Sequence, residues 1–160
     1  MLTVGTPVQF EELYRVGYRR VYRLVWALAG PSAAEELTQD AFLRAHRNWT
    51  EIVTLDDPLQ WVSRVARNLA ISRSRRLGAE ARALTKLGQP EPVRLAESAT
   101  DVWEAVRSLP RRQREVVVLC YLEGFTRIEA AVELGVSPET VKTHLDRART
   151  SLANRLEGHP

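Results

Sequence analysis

One cysteine, Cys120, stands in a chain of 160 residues. That excludes an internal disulfide framework and suits a reducing compartment. Cys120 lies in the apolar run VVVLCYL, where a small buried hydrophobe is expected rather than a nucleophile. A zinc site is excluded as well, because His46, His144 and His159 have no second ligand at metal-binding spacing. No apolar run approaches the roughly 18–20 residues of a membrane-spanning helix, so no membrane insertion is expected. The start of the chain, MLTVGTPVQFEELYRVG, lacks a basic segment followed by an apolar one. No signal peptide is therefore expected, and the setting is expected to be cytoplasmic. The glycines are scattered without a Lys-Ser or Lys-Thr partner, which leaves no phosphate-cradling loop. The carboxylate pairs Glu35/Glu36 and Asp56/Asp57 fall at or near expected helix starts, where the macrodipole favours negative charge. Capping accounts for them without acid–base chemistry. No enzyme active site, no metal and no cofactor are expected.

What the chain does have is charge, unevenly spread. The formal net charge of +3 is modest. Residues 64–86, however, hold Arg64, Arg67, Arg73, Arg75, Arg76, Arg82 and Lys86 against Glu80 alone. Residues 33–57 lean acidic, with Glu35, Glu36, Asp40, Glu51, Asp56 and Asp57. A basic stripe is the usual electrostatic footprint of a phosphate backbone. A solvated helix face has the same composition, so charge alone leaves both readings open.

Hydrophobic spacing points to an all-α fold of two small helical domains on a flexible linker. Phe10, Leu13, Tyr14, Gly17, Val21, Leu24, Val25 and Leu28 keep a helical period until Gly30-Pro31 stops it. Ser32 and Glu35 have the spacing of a capping box, opening a helix through Leu37, Ala41, Phe42, Ala45 and Trp49. After a loop, Asp57 and Pro58 start a third helix, with Trp61, Val62, Val65, Ala66 and Leu69 on its inward face. From about residue 78 the period decays, and residues 78–100 read as the linker. Part of it, 79–87, has the composition of a helical extension. Helix resumes near Thr100 and breaks at Pro110, and a further segment, 111–122, leads onward. The domains are thus expected at 8–77 and 101–156.

Residues 121–152 carry the most specific pattern. Thr126 and Glu129 form a capping box, Gly135 ends that helix, and Ser137 with Pro138 opens the next. Val136 and Val141 occupy the positions of a hydrophobic staple. Val141, Leu145, Ala148, Leu152 and Leu156 make an inward stripe, while Lys142, Thr143, Asp146, Arg147 and Thr150 fall on the other side. A short helix, a Gly turn and a polar-faced helix suggest a helix-turn-helix. Taken alone, the segment is also compatible with an ordinary helical hairpin.

Three segments together resemble the extracytoplasmic-function group of bacterial RNA polymerase sigma factors, in the sigma-70 family, over nearly the whole chain. AEELTQDAFLRAHRNW (34–49) is similar to the polymerase-docking signature, and PLQWVSRVARNLAISRSRR (58–76) to the promoter-opening helix. LPRRQREVVVLCYLEGFTRIEAAVELGVSPETVKTHLDRAR (109–149) is similar to the promoter-reading domain. The resemblance implies an alternative sigma factor without catalysis of its own. Core RNA polymerase and promoter DNA are its implied partners, with room for an anti-sigma factor. Glu35, Glu36, Gln39 and Asp40 are the implied polymerase contacts. Arg64, Asn68, Ser72, Arg73, Arg75 and Arg76 are the candidates for the downstream promoter element and its melting. The loop at 49–57 is implied to hold a flipped base, a step costing a few kcal/mol. Lys142, Thr143, His144, Asp146 and Arg147 are implied to face the upstream element. Arg111, Arg112 and Arg114 are implied backbone or polymerase contacts. Ile128 and Ala130 depart from the family's usual Glu and Ile. The rival reading is a conventional helix-turn-helix regulator with an N-terminal helical signalling domain, for which the polar face at 34–49 has no purpose.

Overall fold

The computed structural model describes residues 9–84 and 100–157, and among these every regular element is helical. Two compact units divide between Arg73 and Ser74.

In the first unit, α1 (Phe10–Ala29) and α2 (Pro31–Arg47) form an antiparallel hairpin joined by Gly30 alone. The backbone at Gly30 has φ 96°, which glycine adopts without a Cβ clash. Because the chain turns at Gly30 directly into Pro31, Pro31 takes the first helical position and Ser32 already lies inside the first turn. The Ser32–Glu35 capping box expected from the sequence does not form: no side chain caps α2. A short helix, α3 (Trp49–Ile52), occupies part of the expected loop. The Asp57 carboxylate then accepts from the Gln60 amide at 3.1 Å and starts α4 (Pro58–Leu84), as the Asp-Pro pair predicts. This helix runs unbroken past residue 78 to Leu84, into the part of the expected linker that has helical composition. Residues 85–99 of the expected linker lie outside the described residues.

The core of this unit is Phe42, Leu24, Leu28, Val21, Val25, Ile52 and Val62, all essentially inaccessible to solvent. Ala27, Ala33, Ala34, Ala41, Ala45, Ala66 and Ala70 fill the positions between them. Small residues there let the backbones approach closely, so helices of modest apolarity still bury a dense interior. Gly17 serves the same end, since a methyl at that site would collide with Leu59. Thr38, fully buried, satisfies its hydroxyl on the Ala34 carbonyl at 2.6 Å.

The second unit contains α5 (Thr100–Arg107), α6 (Arg111–Val117), α7 (Arg127–Leu134) and α8 (Pro138–Glu157). α6 widens into a π-helical turn, Val118–Leu122, closed by the Glu123 amide on the Val118 carbonyl at 3.1 Å. Nothing in the composition of VVVLCYL announces that widening. Both halves of the Thr126–Glu129 capping box are formed, at 3.1 and 2.7 Å. Gly135 adopts the left-handed conformation, φ 65°. Ser137 accepts from the Thr140 amide at 3.1 Å. Val141, Leu145 and Ala148 are buried, whereas Leu152 is half-buried and Leu156 exposed, so the inward stripe of α8 fades toward its end.

Candidate nucleic-acid interface

Three polar surfaces emerge, on α2, on α4 and on α8. On α2, Glu35, Glu36 and Gln39 are exposed and Asp40 is half-exposed. Gln39 donates to Glu35 at 3.3 Å, and Asp40 pairs with Arg44 at 3.1 Å. These four line a groove whose floor is apolar and aromatic, from Phe10, Tyr14, Phe42 and Leu43. The floor is built by ring-on-ring contact: Tyr14 meets Phe42 edge-on at 5.0 Å, and Phe10 meets Trp49 at 5.6 Å. An acidic rim above an apolar floor suits a basic, partly apolar partner surface. The carboxylates were legible in the sequence. The floor was not, because it joins residues of α1 and α2 that only the hairpin brings together.

On α4, the exposed row is Arg64, Asn68, Ser72 and Arg75, at spacings of four, four and three, with Arg76 beside it. Helical geometry places such residues on one face. Two basic residues of the same segment are elsewhere. Arg67 is buried. Arg73 has a side chain only 26% exposed and lies 3.7 Å from Glu36 of α2. Its Nε is buried without a hydrogen-bond partner. Counting charges along the sequence therefore overstates the free basic face. One candidate strand contact, Arg73, and one candidate polymerase contact, Glu36, are paired with each other in the structure.

On α8, Lys142, Thr143, Asp146 and Arg147 are exposed, opposite the buried Val141–Leu145–Ala148 stripe. The Thr143 hydroxyl donates to the Glu139 carbonyl at 3.0 Å, which leaves its lone pairs to accept. Asp146 lies 3.9 Å from Arg149, and Arg149 also donates to the Tyr121 hydroxyl at 2.6 and 2.9 Å. An arginine beside Asp146 offsets the repulsion a lone carboxylate would feel near phosphate. His144 is set differently from its neighbours: it is half-buried, and its Nδ1 is buried without a partner. Burial, then the nearby Arg147 and Arg112, hold its pKa below the ordinary imidazole value, with Glu115 opposing. The neutral ring is the favoured form.

Beneath this helix, α6 contributes a feature that pattern reading missed. Glu115 is 1% exposed and is held by Arg112 at 3.1 Å and Arg111 at 3.7 Å. Arg114 donates to the Arg107 carbonyl at 3.0 Å. The three arginines after Pro110 thus all have partners within the chain. The only sequence signal was Glu115 itself, one acid among basic residues at the edge of an apolar run. The glutamates Glu104, Glu115 and Glu123 look alike as letters, and burial distinguishes the middle one.

Among the described residues no group of His, Cys, Asp and Glu could hold a metal, and no helix is long and apolar enough to cross a membrane.

Comparison with known proteins gives one answer. Residues 10–80 match the family described as Sigma-70 region 2, and residues 99–152 match Sigma-70, region 4. The ECF RNA polymerase sigma factor SigM of Mycobacterium tuberculosis is 33% identical over 155 residues, covering 95% of this chain and 79% of that protein. SigW of Bacillus subtilis, also an ECF RNA polymerase sigma factor, is 28% identical over 170 residues, covering 95% and 91%. The fold is shared with a sigma factor RpoE solved in complex with the anti-sigma factor NepR from Bartonella quintana. That likeness has a TM-score of 0.66 at 22% identity, and covers 94% of this chain and 98% of the other.

Proposed function

This chain belongs to the extracytoplasmic-function group of sigma-70 RNA polymerase sigma factors, and we propose that it divides its work among the three surfaces described above. It is an alternative sigma factor, which associates with core RNA polymerase and directs promoter recognition and transcription initiation. The α2 groove, through Glu35, Glu36, Gln39 and Asp40, docks on core polymerase. Arg64, Asn68, Ser72, Arg75 and Arg76 on α4 follow the melted downstream element, with Arg73 available to the strand once it leaves Glu36. Lys142, Thr143, Arg147 and Asp146 of α8 read the upstream element. His144 lies at the edge of that face as a neutral ring. The protein works in the cytoplasm and catalyses no reaction of its own. The α2 groove also suits an anti-sigma factor, which would exclude polymerase by covering the same acidic rim.

The observation that carries the reading is the α7–α8 unit. Its capping box, left-handed glycine and serine cap fix the turn, and an exposed Lys142–Thr143–Arg147 face stands opposite the buried stripe. That is the arrangement a major-groove helix needs. Two modest sites on one chain also raise each other's effective concentration, so neither need bind tightly alone. The test is co-purification with core polymerase, followed by run-off transcription on a randomised promoter library. Replacing Gln39 and Asp40 by Ala should weaken core binding while helicity and the melting temperature stay near wild type. Equal loss of fold and binding would remove the docking assignment. DNA binding by the chain alone, as a dimer on half-sites and indifferent to polymerase, would favour the conventional regulator instead.

A further inference from the structure

The geometry points to the outward face of α1 as a second nucleic-acid surface, one that takes single-stranded DNA. Residues 13–34 contain Arg15, Arg19, Arg20 and Arg23 and no aspartate or glutamate. Arg15 is occupied by Glu12 at 2.7 Å. Arg19, Arg20 and Arg23 are exposed and have neither an ion pair nor a hydrogen bond among the described residues.

Nothing inside the fold explains that row. Arg15–Arg19 and Arg19–Arg23 stand four apart and Arg20–Arg23 three apart, and like charges at those spacings destabilise a helix. The negative end of the macrodipole would accommodate cations, yet the last turn of α1 has no basic residue. The arrangement weakens the helix and gains no partner among the described residues, which points to a use outside the fold. An anionic backbone supplies the matching charge.

The neighbouring row selects the kind of backbone. Tyr14, Tyr18 and Tyr22 stand four apart; Tyr14 and Tyr18 pack on Phe42 of α2, and Tyr22 continues the row with its ring 6.1 Å from Tyr18. Tyr22 is half-buried, adjacent to Arg23 and one turn beyond Arg19. A phosphate-binding row beside an aromatic row is how single strands are held without sequence preference, because an unpaired base offers its face for stacking. A duplex hides those faces, and an acidic peptide offers no base to stack on the ring. The proposal rests on the reading of this chain as a promoter-opening sigma factor, since an opened promoter supplies the strand.

The test uses the full chain and an oligo-dT of about 20 nucleotides, longer than a typical binding site. The same length of oligo-rU and a duplex serve for comparison. The variants are the triple Arg19→Gln/Arg20→Gln/Arg23→Gln, the single Tyr22→Leu, and Arg47→Gln as a charge control on the exposed end of α2. The triple variant should bind oligo-dT about tenfold or more weakly, and the slope of log affinity against log salt should flatten by about 2, the ~0.7 per lost contact of a single strand. Tyr22→Leu should weaken oligo-dT binding at least about fivefold and leave duplex binding unchanged. Helical content of the triple variant should be retained or increased. The proposal is overturned by an unchanged affinity and slope, by an equal loss in Arg47→Gln, or by wild-type protein that does not bind oligo-dT at low salt. A response confined to oligo-rU would reassign the face to RNA. Equal losses on the duplex with Tyr22→Leu silent would make it a duplex contact, and both results reject the proposal as stated. Run-off transcription with core polymerase separates the two levels. Initiation that persists alongside a negative oligo-dT result rejects this surface alone, whereas absent initiation rejects the parent reading.

Discussion

The two units hold charged surfaces in place by different means. The first does it with length: α1 and α2 run for 20 and 17 residues, neither begins with a side-chain cap, and α4, which starts in this unit and continues past its boundary, runs for 27. The second does it with local devices. Its α5, α6 and α7 have 8, 7 and 8 residues, below the roughly 12–15 at which an isolated helix becomes even marginal in water. It compensates with the capping box at Thr126–Glu129, the left-handed Gly135, the Ser137 cap and a buried carboxylate under α8. Long helices spread their register over many contacts. Short ones concentrate it in a few residues, each of which therefore matters more.

The largest expected effect is Phe42→Ala in the first unit, where a cavity in the core costs about 3–5 kcal/mol. Glu115→Ala tests that concentration directly. It removes the buried acid that holds Arg111 and Arg112, and because those arginines are 30% and 32% exposed and regain water, thermal unfolding should show a loss of about 1–3 kcal/mol. A Glu115→Ala loss below ~1 kcal/mol would mean that charge is not what fixes α6 beneath α8. Next comes specificity: Lys142→Ala or Arg147→Ala should relax preference at a single upstream-element position by about 1–3 kcal/mol on a promoter library. If neither does, α8 presents a different face to DNA.

The cap variants sharpen the contrast at smaller magnitude. Thr126→Ala should destabilise the chain by about 1 kcal/mol and Ser137→Ala by a similar amount. Acid should act in the same region. The Glu129 carboxyl is held below its ordinary value by hydrogen bonds from the Thr126 backbone and side chain. Its contribution is therefore complete above that ordinary value and disappears as pH falls through the depressed one. His144 also disfavours acid. Its folded pKa is lowered, so the unfolded chain takes up the proton first, and stability declines as pH drops from the ordinary imidazole value toward the folded one. A His144→Gln chain should show a flatter dependence of unfolding midpoint on pH in that window. The smallest effect belongs to Ser32→Ala, which should stay within ~0.5 kcal/mol because the residue caps nothing. A loss as large as that of Thr126→Ala would erase the distinction between the two units.

Sequence pattern made most of the scaffold legible, and unevenly so. The Thr126–Glu129, Gly135 and Ser137 signals form as read because each is a contact between residues three or four apart, determined by local backbone geometry. Ser32–Glu35 has the same letters and fails, because one glycine between α1 and α2 brings Pro31 to the first helical position and leaves Ser32 inside the helix. Local patterns are reliable when nothing upstream shifts their frame. The candidate polymerase face was visible as acids on one side of a helix. Its aromatic floor was not, since Phe10, Tyr14 and Phe42 are separated in sequence and meet only when the hairpin closes.

By itself, the sequence determined the helical class, the positions of the helix starts at Asp57, Thr126 and Ser137, the break at Gly30, and the split of polar from apolar faces on α4 and α8. Periodicity and capping are short-range, so they are written in the order of residues. Tertiary structure alone decided which charges are free. It buried Arg67, joined Arg73 to Glu36, joined Arg111 and Arg112 to Glu115, and turned His144 partly inward, while leaving Arg19, Arg20 and Arg23 without partners among the described residues. A charge's role depends on what lies within a few ångströms of it, and those neighbours come from other helices, at separations no local pattern records.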